Sequence, residues 1–520
     1  MVEYLDNGKN SGFNQWIAGQ NKSGAKASKF SGFLWWTVVF VLTWWLFSMW
    51  VAPKKHEEKK LVEDNNVENI SNVPVTKIAD DKISANVQGL RIYDIELKNY
   101  KQNKKDNANV TLLSGDKQFA EIGLSAGSTT APSSSTVWKN NNSEMTWTNS
   151  DKVLFKRKLE VKDYVITVKD EITNNSSKNI SFAPYARIIS KGQAKSVAVA
   201  TGGMAYVNSG MERNGWHSLD KKSYAYQTTN GFIGFADQYW ETVASIESPD
   251  QTILMKKSDT RYQVDSNAAP VNVAAGKSVT IQTKIFAGPR DPKVLSTASS
   301  TIPGIEKTMD YGWFWFLARP MLWALNALNN LVLNYGLAIV LLTIMLRLFM
   351  WPLTRKSYTS MAAMQKMQPE MQKIQKLYAN DKMRLQMEMM KLYQTHKTSP
   401  MSGCLPMLLQ IPIFFALYKA LLISVPMRQA GFLWIHDLSL MDPYFILPIL
   451  MGVTMWWQQH LQGTSNKSSG TDPMAQTQKV MKWMPILFTF MFAWMPAGLV
   501  LYWTISNLFG IIQMYIIKRK

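Results

Sequence analysis

Ile339-Val340-Leu341-Leu342-Thr343-Ile344-Met345-Leu346-Arg347-Leu348-Phe349-Met350 decides how this chain is read. The stretch lies inside an apolar run from Tyr335 to Leu353, close to the length that crosses a ~30 Å hydrocarbon core as a helix. A guanidinium at bilayer depth costs roughly 2.5–3.5 kcal/mol on insertion scales. Arg347 is therefore expected to face protein or water, with Thr343 one turn away on the same helical face. The competing reading lets the long side chain reach back to the cytoplasmic interface, about 9 Å away at roughly 1.5 Å per residue. In the first reading Arg347 is a positive charge in a water-filled cavity that attracts anionic groups.

Four more apolar runs follow, at 403–425, 443–459, 483–496 and 498–517, and one precedes, at Phe33–Ala52. Together with 335–354 they give a polytopic α-helical membrane protein with six expected transmembrane helices. Phe33–Ala52 carries Trp35, Trp36 and Trp50 near its ends and leaves through Met49-Trp50-Val51-Ala52-Pro53. A cleavable signal has a shorter apolar stretch and a small-x-small site, so an uncleaved anchor fits better. The runs Tyr444–Trp457 and Trp483–Met495 are short. They are either re-entrant segments or spans around which the bilayer thins. Pro496-Ala497-Gly498 reads as the turn between the last two spans.

Charge sets the orientation. The segment 355–402 holds nine Lys/Arg, whereas 426–442 holds only Arg428. Lys467, Lys479 and Lys482 lie in 460–482, and Lys518, Arg519 and Lys520 form the tail. By the positive-inside rule, 355–402, 460–482 and 518–520 are expected in the cytoplasm. Counting back, 53–310 lies outside and the tail 1–32 lies inside. Both termini are then cytoplasmic.

The polar stretch 53–310 differs in kind. Lys54–Thr76 is charged and Asn-rich, as linkers are. Beyond it, Asp163–Ile172, Phe182–Ile189, Val197–Val207 and Val279–Phe286 are rich in β-branched and aromatic residues, and Asn-Gly and Gly-Gly punctuate them. A large antiparallel β-sandwich domain is expected. In 311–334, Trp313, Phe316, Leu317, Trp323 and Leu325 are apolar, while Arg319, Asn326 and Asn330 share one helical face. That pattern predicts an amphipathic helix on the outer membrane surface.

Composition narrows the function. The single cysteine, Cys404, excludes an intramolecular disulfide framework and a Cys-rich metal site. The five histidines form no HExxH pattern, and there is no Gly-x-x-x-x-Gly-Lys-Ser/Thr loop to bind nucleotide. No catalytic residue, metal or cofactor is expected, and the protein is not read as an enzyme. A net charge of +20 with a mean hydropathy of only −0.14 fits a polar domain joined to apolar spans.

Further polar groups can complete a cavity around Arg347. Gln410 lies in Leu409-Gln410-Ile411-Pro412, and Ser506 and Asn507 lie in the last span, with Trp503 one turn from Asn507. Tyr502 sits beside Trp503. Lys419 is expected to snorkel outward. In the cytoplasmic segment, Met364, Met367, Met371, Ile374 and Tyr378 recur at intervals of 3 and 4, and Met383, Met387 and Met390 resume after Asn380-Asp381. This predicts an antiparallel coiled-coil hairpin, kinked at Pro369, that the methionines zip together. Met is also soft enough for varied apolar partners. Lys373 and the other basic residues on the outer face would meet anionic lipid or ribosomal RNA if that face is more than solvated.

These residues carry a resemblance. The strings Gly403-Cys404-Leu405-Pro406, Gln410-Ile411-Pro412-Ile413-Phe414-Phe415-Ala416-Leu417-Tyr418, Asp472-Pro473 and Pro496-Ala497-Gly498-Leu499-Val500-Leu501-Tyr502-Trp503 resemble the YidC family of membrane protein insertases, in the Gram-negative form with a large periplasmic domain. Asp310-Tyr311-Gly312-Trp313 and Gly234-Phe235-Ala236-Asp237-Gln238-Tyr239-Trp240 are similar to its periplasmic segments. The resemblance implies a periplasmic β-super-sandwich in the bacterial inner membrane and a hydrophilic groove with Arg347 as its charge. It places Thr343 and Trp503 in that groove. It implies ATP-independent insertion, folding and assembly of nascent inner-membrane proteins, alone or beside the Sec translocon. The hairpin and the segment Gln459–Lys482 would meet the ribosome, the signal-recognition receptor or the translocon, with the protein working as a monomer. Two rival functions use the same residues differently: a small-anion transporter built on Arg347, and a membrane-anchored periplasmic carbohydrate-binding protein.

Overall fold

The computed structural model describes residues 70, 72–104, 107–115, 118–141, 144–192, 201–258, 260–396, 405–461 and 473–518. The expected N-terminal tail and first span at 33–52, residues 462–472 of the expected 460–482 loop, and the first residues of the strand expected from Val197 lie outside them.

Strand-forming alternation builds the first half. Ile180–Ser190 alternates buried and half-buried side chains along all eleven residues. Val165–Asn174 turns Ile166, Val168, Asp170 and Ile172 inward. Among the described residues these strands join two antiparallel sheets, one of ten strands and one of nine. In the nine-stranded sheet Val165–Asn174 pairs with Ser278–Pro289 on one side and Val153–Lys162 on the other. In the ten-stranded sheet Ile180–Ser190 lies between Phe119–Ala126 and Arg261–Ala268. The inner faces share one core; Phe155 of one sheet meets Phe182 of the other edge-on, with ring centroids 5.4 Å apart.

A cation crosses that core. Arg157 and Asp170 are cross-strand partners, and the guanidinium grips the carboxylate through Nε at 2.7 Å and Nη2 at 2.8 Å. The same Nη2 donates to the Ile122 carbonyl of the opposite sheet at 2.9 Å. Nearby, Glu241 is fully buried beside Arg290, at 3.3 Å. Burial pushes the Glu241 carboxyl up to about 7, against the opposing pull of Arg290, the Thr308 hydroxyl and Arg213.

The second half is helical. Trp315–Val332 (α1) buries Ala318, Met321, Leu322 and Leu325, and leaves Trp315, Trp323 and Leu331 bare. Tyr335–Phe349 (α2) starts from Asn334, whose side chain accepts from the Leu337 amide. Trp351–Leu377 (α3) departs from α2 at 65°. Pro352 in its first turn lacks an amide hydrogen and explains the break. Lys382–Thr395 (α4) folds back on α3. Leu405–Ile423 (α5), Ile446–Leu461 (α6), Pro473–Phe492 (α7) and Ala497–Lys518 (α8) follow. The last of these is the hub and packs on α2, α3, α5 and α6. Outward faces carry Phe349, Ile449, Trp483, Ile486 and Ile512, an apolar belt larger than a water-facing surface tolerates.

Six spanning helices are more than the described residues establish. One helix, Ala497–Ile517, has the length and apolarity to cross a membrane, or two if the bent pair Tyr335–Phe349 and Trp351–Met364 is one span. Leu409–Ile423 and Trp483–Phe492 are further apolar helical stretches among the described residues.

Two expectations about side chains need correction. Lys419 does not snorkel into a headgroup layer: its ammonium pairs with Asp310 at 2.7 Å and is largely buried. Nor do Met383, Met387 and Met390 zip the hairpin, because all three are exposed. Met367 and Met371 of α3 are buried, and α4 turns half-buried Leu385, Met389 and Leu392 inward instead. Both stripes recur at helical spacing, so periodicity alone could not choose between them. The arms are tied by His396 and Glu370 at 3.4 Å, and α3 runs on through Pro369.

The two halves meet at a joint. Besides Lys419–Asp310, Arg428 donates to the carbonyls of Lys101 (2.6 Å) and Gln102, and Gln238 donates to the Leu422 carbonyl at 3.1 Å.

Two predictions follow from the buried charges. Asp170→Ala strands the Arg157 cation and should cost about 3–5 kcal/mol, measured by denaturant unfolding of the full-length protein; a loss below ~1 kcal/mol would contradict the assigned role. Because the folded Glu241 carboxyl binds its proton more tightly than the unfolded one, its stabilising contribution is complete below about pH 4.5 and is lost as pH rises to about 7. Melting of the β domain should therefore fall across that window in the parent, and less steeply in Glu241→Gln. Identical slopes would refute the assignment.

Candidate functional site

Arg347 stands in the last turn of α2, where free carbonyl ends favour a cation. It is half-buried. Its Nε donates to the Ser506 hydroxyl at 2.8 Å and its Nη2 to the same oxygen at 2.5 Å. Ser506 is buried on α8. Among the described residues no carboxylate forms an ion pair with Arg347. One neutral oxygen thus takes two of the five N–H donors that a guanidinium carries, and the positive charge is left without an anion.

The polar layer continues from α8 to α5. Tyr502, one turn from Ser506 and buried, accepts from the Gln410 amide. Arg347, Ser506, Tyr502 and Gln410 thereby line up across three helices. Thr343 is buried, and its hydroxyl donates to the Ile339 carbonyl of its own helix at 2.7 Å. It thus adds an acceptor oxygen near Arg347 but no free donor.

Trp503 and Asn507 make contacts separate from the Arg347–Ser506–Tyr502–Gln410 line. Trp503 packs against Phe414, Phe488 and Phe492 at centroid separations of 5.2, 6.0 and 5.1 Å. Asn507 turns to α6, where Thr454 Oγ1 lies at 3.4 Å and the Met451 carbonyl at 3.5 Å. The cause is helical geometry: successive residues are rotated by about 100°, so neighbours in sequence reach different helices. Of the hairpin residues, Met364 is half-buried, Met367 and Met371 are buried, and Lys373, Met383 and Met387 are exposed. Sequence reading missed Gln513, seven residues after Ser506 and buried. That interval of seven was the available signal.

Residues 327–520 match the family described as 60Kd inner membrane protein, and residues 76–324 match the YidC periplasmic domain. The membrane protein insertase YidC of Rickettsia rickettsii (strain Iowa) is 34% identical over 520 residues, covering 90% of this chain and 91% of that one. The chain belongs to the YidC family of membrane protein insertases. The YidC of Magnetococcus marinus is 37% identical over 390 residues, 72% of this chain and 68% of its own length. A solved structure described as an active YidC insertase with the first transmembrane domain resolved overlays at a TM-score of 0.38 and 18% identity, covering 85% of this chain and 94% of that one. YidC membership makes this an inner-membrane protein with a periplasmic domain, and its named relatives are insertases.

The packing and polar roles separate by mutation. Trp503→Ala opens a hole among three phenylalanines and should cost about 3–5 kcal/mol. Arg347→Met removes a cation with no carboxylate partner and should leave the unfolding midpoint unchanged or higher. Measured in detergent on the full chain, a large loss for Arg347→Met would mean that the guanidinium is structural.

Proposed function

We propose that this protein inserts nascent inner-membrane proteins without ATP, through a hydrophilic groove whose charge is Arg347. The observation that carries the reading is a guanidinium among apolar helices, held by the Ser506 hydroxyl with no carboxylate beside it among the described residues. A cation so placed keeps its long-range attraction for an incoming anion, and low surrounding dielectric strengthens that attraction. A polar, acidic tail or hairpin of the client enters the groove and is drawn transiently to Arg347. Gln410, Tyr502 and Thr343 supply neutral polar neighbours, and Trp503 and Asn507 hold the helices that form the wall.

The client's apolar segment then slides along the outer helices into lipid. Burial of about 20 apolar residues supplies the free energy. The short apolar runs Tyr444–Trp457 and Trp483–Met495 favour a locally thin bilayer, which shortens the polar path. In this reading five further spans accompany α8, both termini are cytoplasmic, and the β domain is periplasmic. The α3–α4 hairpin and the 460–482 loop receive the client and meet the ribosome, the signal-recognition receptor or the Sec translocon. The protein works as a monomer, alone or beside the translocon.

Small-anion transport would use the same cation, but alternating access favours paired broken helices in repeated halves, and no second span bears an arginine. A periplasmic carbohydrate site would need a polar cavity such as the one of about 490 Å³ lined by Asp94, Glu96 and Asn86. Its carboxylates are already engaged: Asp94 accepts from the Gly115 amide at 2.9 Å, and Glu96 accepts from Asn109 at 2.6 Å and Ser84 at 3.2 Å.

The test is insertion into proteoliposomes by the parent, Arg347→Ala and Arg347→Lys. For clients with acidic translocated segments, Arg347→Ala should slow insertion about ten-fold, the rate equivalent of about 1.4 kcal/mol, and Arg347→Lys should restore most of it. Equal rates for all three would remove the electrostatic step.

A further inference from the structure

Gln513 is 1% exposed, and neither its Oε1 nor its Nε2 has a hydrogen-bond partner among the described residues. A primary amide holds two N–H donors and an acceptor with two lone pairs. Burying all of them unpaired is among the costlier things a fold can do. A buried amide with no partner therefore calls for one from outside the protein's own side chains. Its position says what that is. Tyr502, Ser506 and Gln513 are separated by four and seven residues, which places them on one face of α8. Gln513 therefore extends the Arg347–Ser506 line by about 10 Å at roughly 1.5 Å per residue. One turn back, Gly510 permits a close approach: a Cβ there would stand 3.0 Å from Gln458 Nε2 and 3.4 Å from the Tyr358 hydroxyl. Helices α3, α6 and α8 thus converge at this level.

We infer that Gln513 is a docking group for the client's main chain, binding one peptide unit through its C=O and N–H. This rests on the groove reading above and adds a second contact to it. An amide is the side chain whose donor and acceptor match those of a peptide group, so it recognises any sequence, as a general insertase requires. An extended chain advances about 3.3 Å per residue, so a client carboxylate at Arg347 puts a peptide group about three residues away at Gln513. Arg347 then selects charge, and Gln513 holds the chain in line irrespective of side chain.

The test compares Gln513→Met, which conserves volume, with the parent and with Arg347→Ala, using full-length protein in proteoliposomes. The client is a single-span protein with one acidic residue in its translocated tail, and a photoreactive diazirine amino acid replaces the residue three positions from it. Gln513→Met should melt higher than the parent yet insert the client about five-fold more slowly. In the parent, the diazirine should crosslink to the α8 peptide that contains residue 513. A higher melting point with unchanged insertion would make the amide a structural or water-bound group and overturn the inference. Absence of the crosslink in the parent would overturn it as well, whether or not the variant folds. If Arg347→Ala also inserts at the parent rate, the groove reading itself falls; if only Arg347→Ala is slow, the groove stands and Gln513 is excluded from it.

Discussion

The electrostatics of the helical half turn on one awkward contact, a guanidinium held by a single hydroxyl. Arg347 on α2 and Ser506 on α8 meet at 2.8 Å, and the charge has no carboxylate beside it among the described residues. A carboxylate in place of Ser506 would satisfy the charge and also silence it. A hydroxyl orients the group and leaves its field intact. The break at Met350 belongs to the same arrangement: α3 departs at 65° and does not continue the cylinder past Arg347.

Different faces of one helix separate packing from chemistry. Within six residues of α8, Tyr502 and Ser506 serve the polar layer, Trp503 seals an aromatic cluster, and Asn507 reaches toward α6. The β domain solves an equivalent problem with full neutralisation. Arg157 is buried with its carboxylate and a carbonyl from the facing sheet, which fixes how the sheets sit on each other. Buried Arg157 is neutralised and structural, whereas half-buried Arg347 has no carboxylate partner among the described residues.

Much of this was legible in the residue pattern. Alternation in Val165–Asn174 and Ile180–Ser190 announced a half-buried strand, because a period of two cannot serve a helix. Arg347 stood out because a charge in an apolar run has few reasons to be there. The failures share a cause. Sequence spacing gives a face but not the neighbour across from it. The outer methionine stripe of α4 and its inner Leu385–Met389–Leu392 stripe have similar periods. Trp503 and Asn507 look like polar-face residues until the positions of α6 and α7 are known. Lys419 looked free because its partner, Asp310, lies 109 residues earlier.

The joint between the halves has a property of its own. Arg428 and Gln238 address main-chain carbonyls, those of Lys101, Gln102 and Leu422, and every residue type offers the same carbonyl. The receiving strand and helix end can therefore change their side chains over generations without loosening the hinge-point, while the donors Arg428 and Gln238 cannot. Such a coupling lets the extracytoplasmic domain diversify its surface rapidly and still hold the membrane machinery at a fixed angle.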